Sequence, residues 1–138
     1  MPVADQVDAA LDVCEADALF ASLSGYSHLI VAVSGGPDSV ALMRLMSGWA
    51  GRCASAPELT VVTVDHGLRA ASGEEAAQVG RWAGALGLAH QILRWAGPKP
   101  QTGLQAAARE ARYRLMSQWC LENDAQGIVT AHSANDQA

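Results

Sequence analysis

The residues best equipped for chemistry stand in VSGGPDSV, Val33 to Val40, directly after the apolar run LIVAV. Glycines let backbone amides approach an anion closely, and a helix opening at Pro37 adds the positive end of its dipole. Ser34 offers a hydroxyl at the rim, while Asp38 and Ser39 fall in the first helical turn. The pattern reads as an anion cradle. Asp38 nevertheless sets a negative charge beside any phosphate held there, which is repulsive unless a cation stands between them. A magnesium ion resolves the conflict by bridging carboxylate and phosphate oxygens. The lysine-bearing Walker loop and the dinucleotide pattern G-x-G-x-x-G are both absent. A Ser-Gly-Gly turn alone also serves as a plain tight connection, so its neighbours must discriminate.

Three other segments carry such neighbours. VDHG supplies Asp65 and His66, the latter equally readable as a core or turn histidine. HSANDQ supplies His132, Asn135 and Asp136, where a carboxylate and an imidazole could hold magnesium and orient a phosphate or hydroxyl. The competing reading is a helix N-terminus capped by Asn135 or Asp136. AREARYR places Arg109 and Arg112 on one helical face. An arginine on a helix is commonly a solvated charge, but its planar fork suits phosphate oxygens. Tyr113 and the four tryptophans read as packing residues, and Arg69 as a surface loop residue.

The elements that must position these groups alternate between strand and helix. Val3, Val7, Leu11 and Cys14 recur at helical spacing and predict an opening amphipathic helix. HLIVAV, residues 28–33, is uniformly apolar and β-branched, as expected of a strand buried on both faces. A helix through SVALMRLMSGW follows, then a second strand at 58–64. Ser72 and Glu75 match a capping box and predict a helix over 73–86. A third strand is expected at 89–95, an exposed loop at 97–103, and a long helix from Leu104 ended by 124–127. GIVTA, residues 127–131, is the fourth strand. This order predicts an α/β domain with a parallel sheet and right-handed crossovers. Ligands of such sheets bind beyond the carboxyl ends of the strands, where strand order reverses. If the first and fourth strands are neighbours there, SGGPDS and HSANDQ emerge side by side, with VDHG on the other flank.

Composition sets the outer limits. With 138 residues, half of them hydrophobic, the chain can build one domain with a real core. No apolar run approaches a membrane span, and MPVADQVDAA lacks the basic start and apolar middle of a secretory signal, so a cytoplasmic location without membrane contact is expected. Cys14, Cys53 and Cys120 show no C-x-x-C spacing, which argues against a zinc site or disulfide framework. The net charge of -5 and the single lysine, Lys99, argue against a strong nonspecific nucleic-acid binder without excluding RNA as a substrate.

SGGPDS resembles the PP-loop of the ATP pyrophosphatases, and VDHGLRAASGEEA, GLQAAAREARYRLM and TAHSANDQA resemble the tRNA(Ile)-lysidine synthetase family in the same order. The resemblance implies a Rossmann-like three-layer sandwich of the adenine nucleotide alpha hydrolase type, incomplete here, with 1–138 as the N-terminal part of an ATP-binding catalytic domain. It implies a ligase that uses ATP and Mg2+ to adenylate the wobble cytidine of a tRNA(Ile) with a CAU anticodon, then joins L-lysine to it. Within that resemblance Ser34, Gly35, Gly36, Asp38 and Ser39 bind phosphate, Asp65 and His66 lie by the nucleotide, and Arg109 and His132 contact the ATP. Asp38 and Asp136 are the expected metal ligands, and Asp38, Asp136, His132 and Arg109 the catalytic set. Asn135 stands where the commoner family form has an aspartate. The family pattern also continues past DQ, so a fragment is expected, with an open edge beside the fourth strand that favours association, as in a homodimer. Rival expectations are a noncatalytic adenine-nucleotide-binding module and another PP-loop enzyme, either an amide-forming synthetase or a tRNA thiolation enzyme. The absence of C-x-x-C pairs argues against thiolation.

Overall fold

A computed structural model describes residues 3–7, 13–68 and 70–131, with side chains from residue 17 onward. Its strands are β1 (Val3–Val7), β2 (His28–Ala32), β3 (Glu58–Asp65), β4 (Ala89–Arg94) and β5 (Gly127–Ala131). The helices are α1 (Val13–Phe20), α2 (Pro37–Arg52), α3 (Ser72–Ala85) and α4 (Leu104–Asn123). The strands form one sheet in the order β1-β5-β2-β3-β4, every pair parallel.

The apolar runs explain the sheet's centre. Leu29, Ile30 and Val31 of β2 are fully buried, as are Val61 of β3 and Ile128 and Val129 of β5. Side chains that alternate along a strand divide this burial between two layers. Leu29, Val31, Val61 and Val129 join Leu42, Met43 and Met46 of α2 and Val79 and Ala83 of α3. Ile30, Val62 and Ile128 join Met116 and Cys120 of α4. Phe20, at the end of α1, closes the first layer against Trp49, with ring centroids 5.7 Å apart. The result is the expected α/β three-layer sandwich.

Chain direction then places the functional ends. β2, β3 and β4 follow one another outward, after which α4 crosses beneath the sheet and delivers β5 to the opposite side of β2. Strand order therefore reverses between β2 and β5, and the register Val31↔Val129 puts the exits of these two strands side by side.

Three local expectations need correction. Val3–Val7 is a strand paired with β5, not the start of a helix, and the first helix begins at Val13. A four-residue interval keeps two side chains on one face in a helix and in a strand alike, so Val3 and Val7 could not discriminate. The same pairing covers the edge of β5 that was expected to be open. Finally, α3 starts at Ser72 with Ala71 at its N-cap and no side-chain cap, because Ser72 Oγ donates to Asp65 Oδ1 at 2.6 Å instead.

Candidate functional site

The loop between β2 and α2 is knitted by two serines. Ser34 N–H donates to Ser39 Oγ at 3.1 Å, and Ser39 Oγ donates to the Gly36 carbonyl at 3.1 Å. The two hydroxyls also lie 3.2 Å apart, and Gly36 N–H donates to Ser34 Oγ at 3.3 Å. Ser39 is buried, and its single proton is held by Gly36, so its part is to shape the loop. Gly35 turns through φ +104, a region open to glycine, and Gly36 returns to extended backbone at φ -71, ψ 161 as N-cap. With Pro37 at the first helical position, the amides of Asp38 and Ser39 have no earlier carbonyl to bond and remain available to an anion.

The loop forms one wall of a cleft of about 980 Å³ that lies over the carboxyl ends of β2, β3 and β5. Ser34, Gly35, Gly36, Asp38, Ser39, His66 and Arg109 all line it, so the structure brings these sequence-expected residues together. His132 and Asp136 fall outside the described residues. The strand leading to them does reach the cleft, because Thr130 and Ala131 line it beside the phosphate loop.

Asp65 faces elsewhere. Its carboxylate accepts from Ser72 Oγ and, at 3.1 Å, from Gly67 N–H, and Arg94 Nε stands 3.9 Å away. The Ser72 hydrogen bond, helped by the Gly67 amide and the Arg94 charge against the opposing effect of burial, holds this carboxyl below the usual aspartate value. Asp65 thus fastens the end of β3 to the start of α3 and is not on the cleft wall. His66, its neighbour, does line the cleft, and its Nδ1 accepts from Leu68 N–H at 3.0 Å. A neutral imidazole that accepts at Nδ1 carries its proton on Nε2, which leaves a donor for a ligand.

The opposite wall belongs to α4. Arg109 and Arg112 line the cleft with Tyr113 between them, the guanidinium carbons 5.4 Å and 5.5 Å from the ring centroid. Among the described residues neither guanidinium has a carboxylate partner. Both are therefore free to face an anionic ligand. Asp38, half-buried on the facing wall, likewise has no hydrogen-bond or ion-pair partner among the described residues. No group of three His, Cys, Asp or Glu side chains among those residues could hold a metal alone. One free carboxylate beside a phosphate cradle still suits Mg2+, which binds through one or two carboxylates plus substrate phosphates and water.

Two threonines on the cleft wall were not signalled by sequence. Thr63 of β3 is bonded to His90 Nε2 of β4 at 2.9 Å, and burial lowers the His90 pKa, keeping the ring neutral at physiological pH. Thr130 of β5 is buried, and its hydroxyl has no partner among the described residues. A threonine in a strand is an ordinary β-former, so neither role had a sequence signature. A smaller pocket of about 280 Å³ behind Gly35, lined by Glu74, Glu75, Gln78 and Trp82, adjoins the loop from α3.

Residues 10–138 match the family described as PP-loop domain. A tRNA(Ile)-lysidine synthase of Bradyrhizobium diazoefficiens is 52% identical over 136 residues, which is 99% of this chain and 38% of that protein. One from Rhodopseudomonas palustris is 49% identical over 129 residues, 94% of this chain and 37% of the relative. The chain thus spans somewhat more than a third of the length of these curated relatives. Among solved structures, a U34-tRNA thiolase of Methanococcus maripaludis superposes with a TM-score of 0.74 at 13% identity, over 90% of this chain and 46% of the thiolase. That likeness concerns the fold.

Proposed function

The chain belongs to the family of PP-loop domains, and from that premise we propose that it is the ATP-binding part of a tRNA(Ile)-lysidine synthase. The observation that carries the reading is that one cleft, which β5 also enters, is lined by Asp38 at the mouth of a glycine loop and by Arg109, neither of them ion-paired among the described residues. The reaction is adenylation of the C2 oxygen of the wobble cytidine in tRNA(Ile), followed by attack of lysine's ε-amine at C2 with departure of AMP.

In the first step the cytidine oxygen bonds to the α phosphorus while the bond to the β-phosphate oxygen breaks and pyrophosphate leaves. The amides after Gly36 and the Arg109 guanidinium hold the β and γ phosphates as the leaving unit, which leaves the α phosphorus open to attack. A charge-assisted hydrogen bond contributes about 1.5–3 kcal/mol, and one that strengthens as pyrophosphate separates accelerates the step by roughly ten- to a hundredfold. His66, whose Nδ1 accepts from Leu68 N–H, presents Nε2 as a donor on the same wall. Asp38, and Asp136 from the segment after β5, would hold Mg2+, which supplies charge neutralisation on the phosphates when bound. The part proposed for His132 is to orient the phosphate or the attacking oxygen.

The test is ATP titration with and without Mg2+ for the wild-type chain and Asp38→Ala. Mg2+ should tighten wild-type binding, and the substitution should abolish that dependence with a loss of about tenfold or more. Wild-type affinity and an unchanged magnesium response in the variant would remove the assignment.

A further inference from the structure

Thr130 carries a hydroxyl that has no partner among the described residues. Its side chain is 7% exposed, and Oγ1 is shielded from solvent and unbonded, the sole such side-chain atom among the described residues. An orphaned buried hydroxyl costs roughly 1–3 kcal/mol, so its persistence calls for a group that satisfies it. The surroundings identify the group. Thr130 stands next to Ala32 on the α4 side of the sheet, where Ala32, Val62, Val64 and Met116 make an apolar floor at the base of the cleft. Helix α2, whose start cradles phosphate, packs on the other side. The phosphate loop and this floor line the same cleft, so a nucleotide held by its phosphates at that start has the floor within reach of its nucleoside part.

We infer that Thr130 is a specificity-determining contact for the nucleoside portion of the bound nucleotide, its hydroxyl bonding a ribose or base oxygen or nitrogen while the floor packs against the ring. The inference rests on the ATP-binding reading above and adds the residue that distinguishes a nucleotide from a bare polyphosphate.

The experiment compares ATP and tripolyphosphate binding, in the presence of Mg2+, to the wild-type chain, Thr130→Val and Thr130→Ser, alongside thermal unfolding without ligand. Valine keeps the shape and removes the orphan, so the ligand-free variant should melt at the wild-type temperature or above it. Its ATP affinity should fall about three- to tenfold, while tripolyphosphate binding stays unchanged. Serine should restore most of the ATP affinity. Unaltered ATP affinity in Thr130→Val, equal losses for both ligands, or a serine variant as weak as valine would each overturn the inference. Failure of the wild-type chain to bind ATP at all would instead remove the ATP-binding reading, and this contact with it.

Discussion

Gly35→Ala isolates the backbone strain on which the anion cradle depends. At φ +104 an L-residue is disfavoured by about 1–3 kcal/mol. The added methyl would meet Val79 Cγ2 at 3.6 Å, an ordinary contact, so sterics add nothing and the penalty is conformational. Alanine also restricts the unfolded chain, which returns about 0.4–1 kcal/mol. The expected net loss is therefore about 1–2 kcal/mol if the loop keeps its shape. If the loop relaxes, stability recovers but the amides turn away from the anion, and ATP affinity should fall by roughly tenfold for about 1.4 kcal/mol. The strain must appear in one measurement or the other. Urea unfolding and ATP titration on the same preparation read both. Gly36→Ala is the control for stability, because φ -71, ψ 161 suits any residue and its methyl would lie 3.6 Å from Ser34 Oγ. A Gly35→Ala chain matching wild type in both stability and affinity would refute the strained-cradle argument, as would a Gly36→Ala chain destabilised to the same degree.

Two further substitutions test the supports behind the site. Gly80→Ala would place a methyl 2.9 Å from His90 Nδ1, displacing a ring whose other nitrogen holds Thr63. After a gain of about 1 kcal/mol in helix propensity, a net loss of about 1 kcal/mol is expected in urea unfolding, and the loss should disappear in a His90→Ala background. Asp65→Asn should destabilise most at neutral pH. The folded-state pKa of Asp65 lies below its ordinary 3.8, so its stabilisation is present above that value and fades as pH falls through the folded pKa. Unfolding measured at several pH values should show the gap between variant and wild type closing in strong acid, and a constant gap would contradict the assignment.

The central strands and the phosphate loop were legible because burial on both faces demands uninterrupted apolar residues, and because glycine, proline and serine in that order have few alternative uses. HLIVA and GIVTA are of this kind. The opening segment was not legible, since a spacing of four suits helix and strand equally and the deciding partner, β5, lies more than a hundred residues away. The Ser72 cap failed for a related reason: a carboxylate from the preceding strand competes for the hydroxyl more strongly than the helix's own amides. Threonines make the point most clearly. Thr60 bonds His28, Thr63 bonds His90, and Thr130 has no partner among the described residues, although all three sit in apolar strands. Register and neighbouring strands assign those roles, and one sequence does not display them.

The cleft touches α3 through Ser72 and Glu75 and α4 through Arg109 and Tyr113, helices that cover opposite faces of the sheet. An occupant would therefore act as a rivet through the strand ends, fastening two layers that otherwise meet only across the sheet. Its binding energy would be shared by both, so that neither helix could peel away without first releasing it.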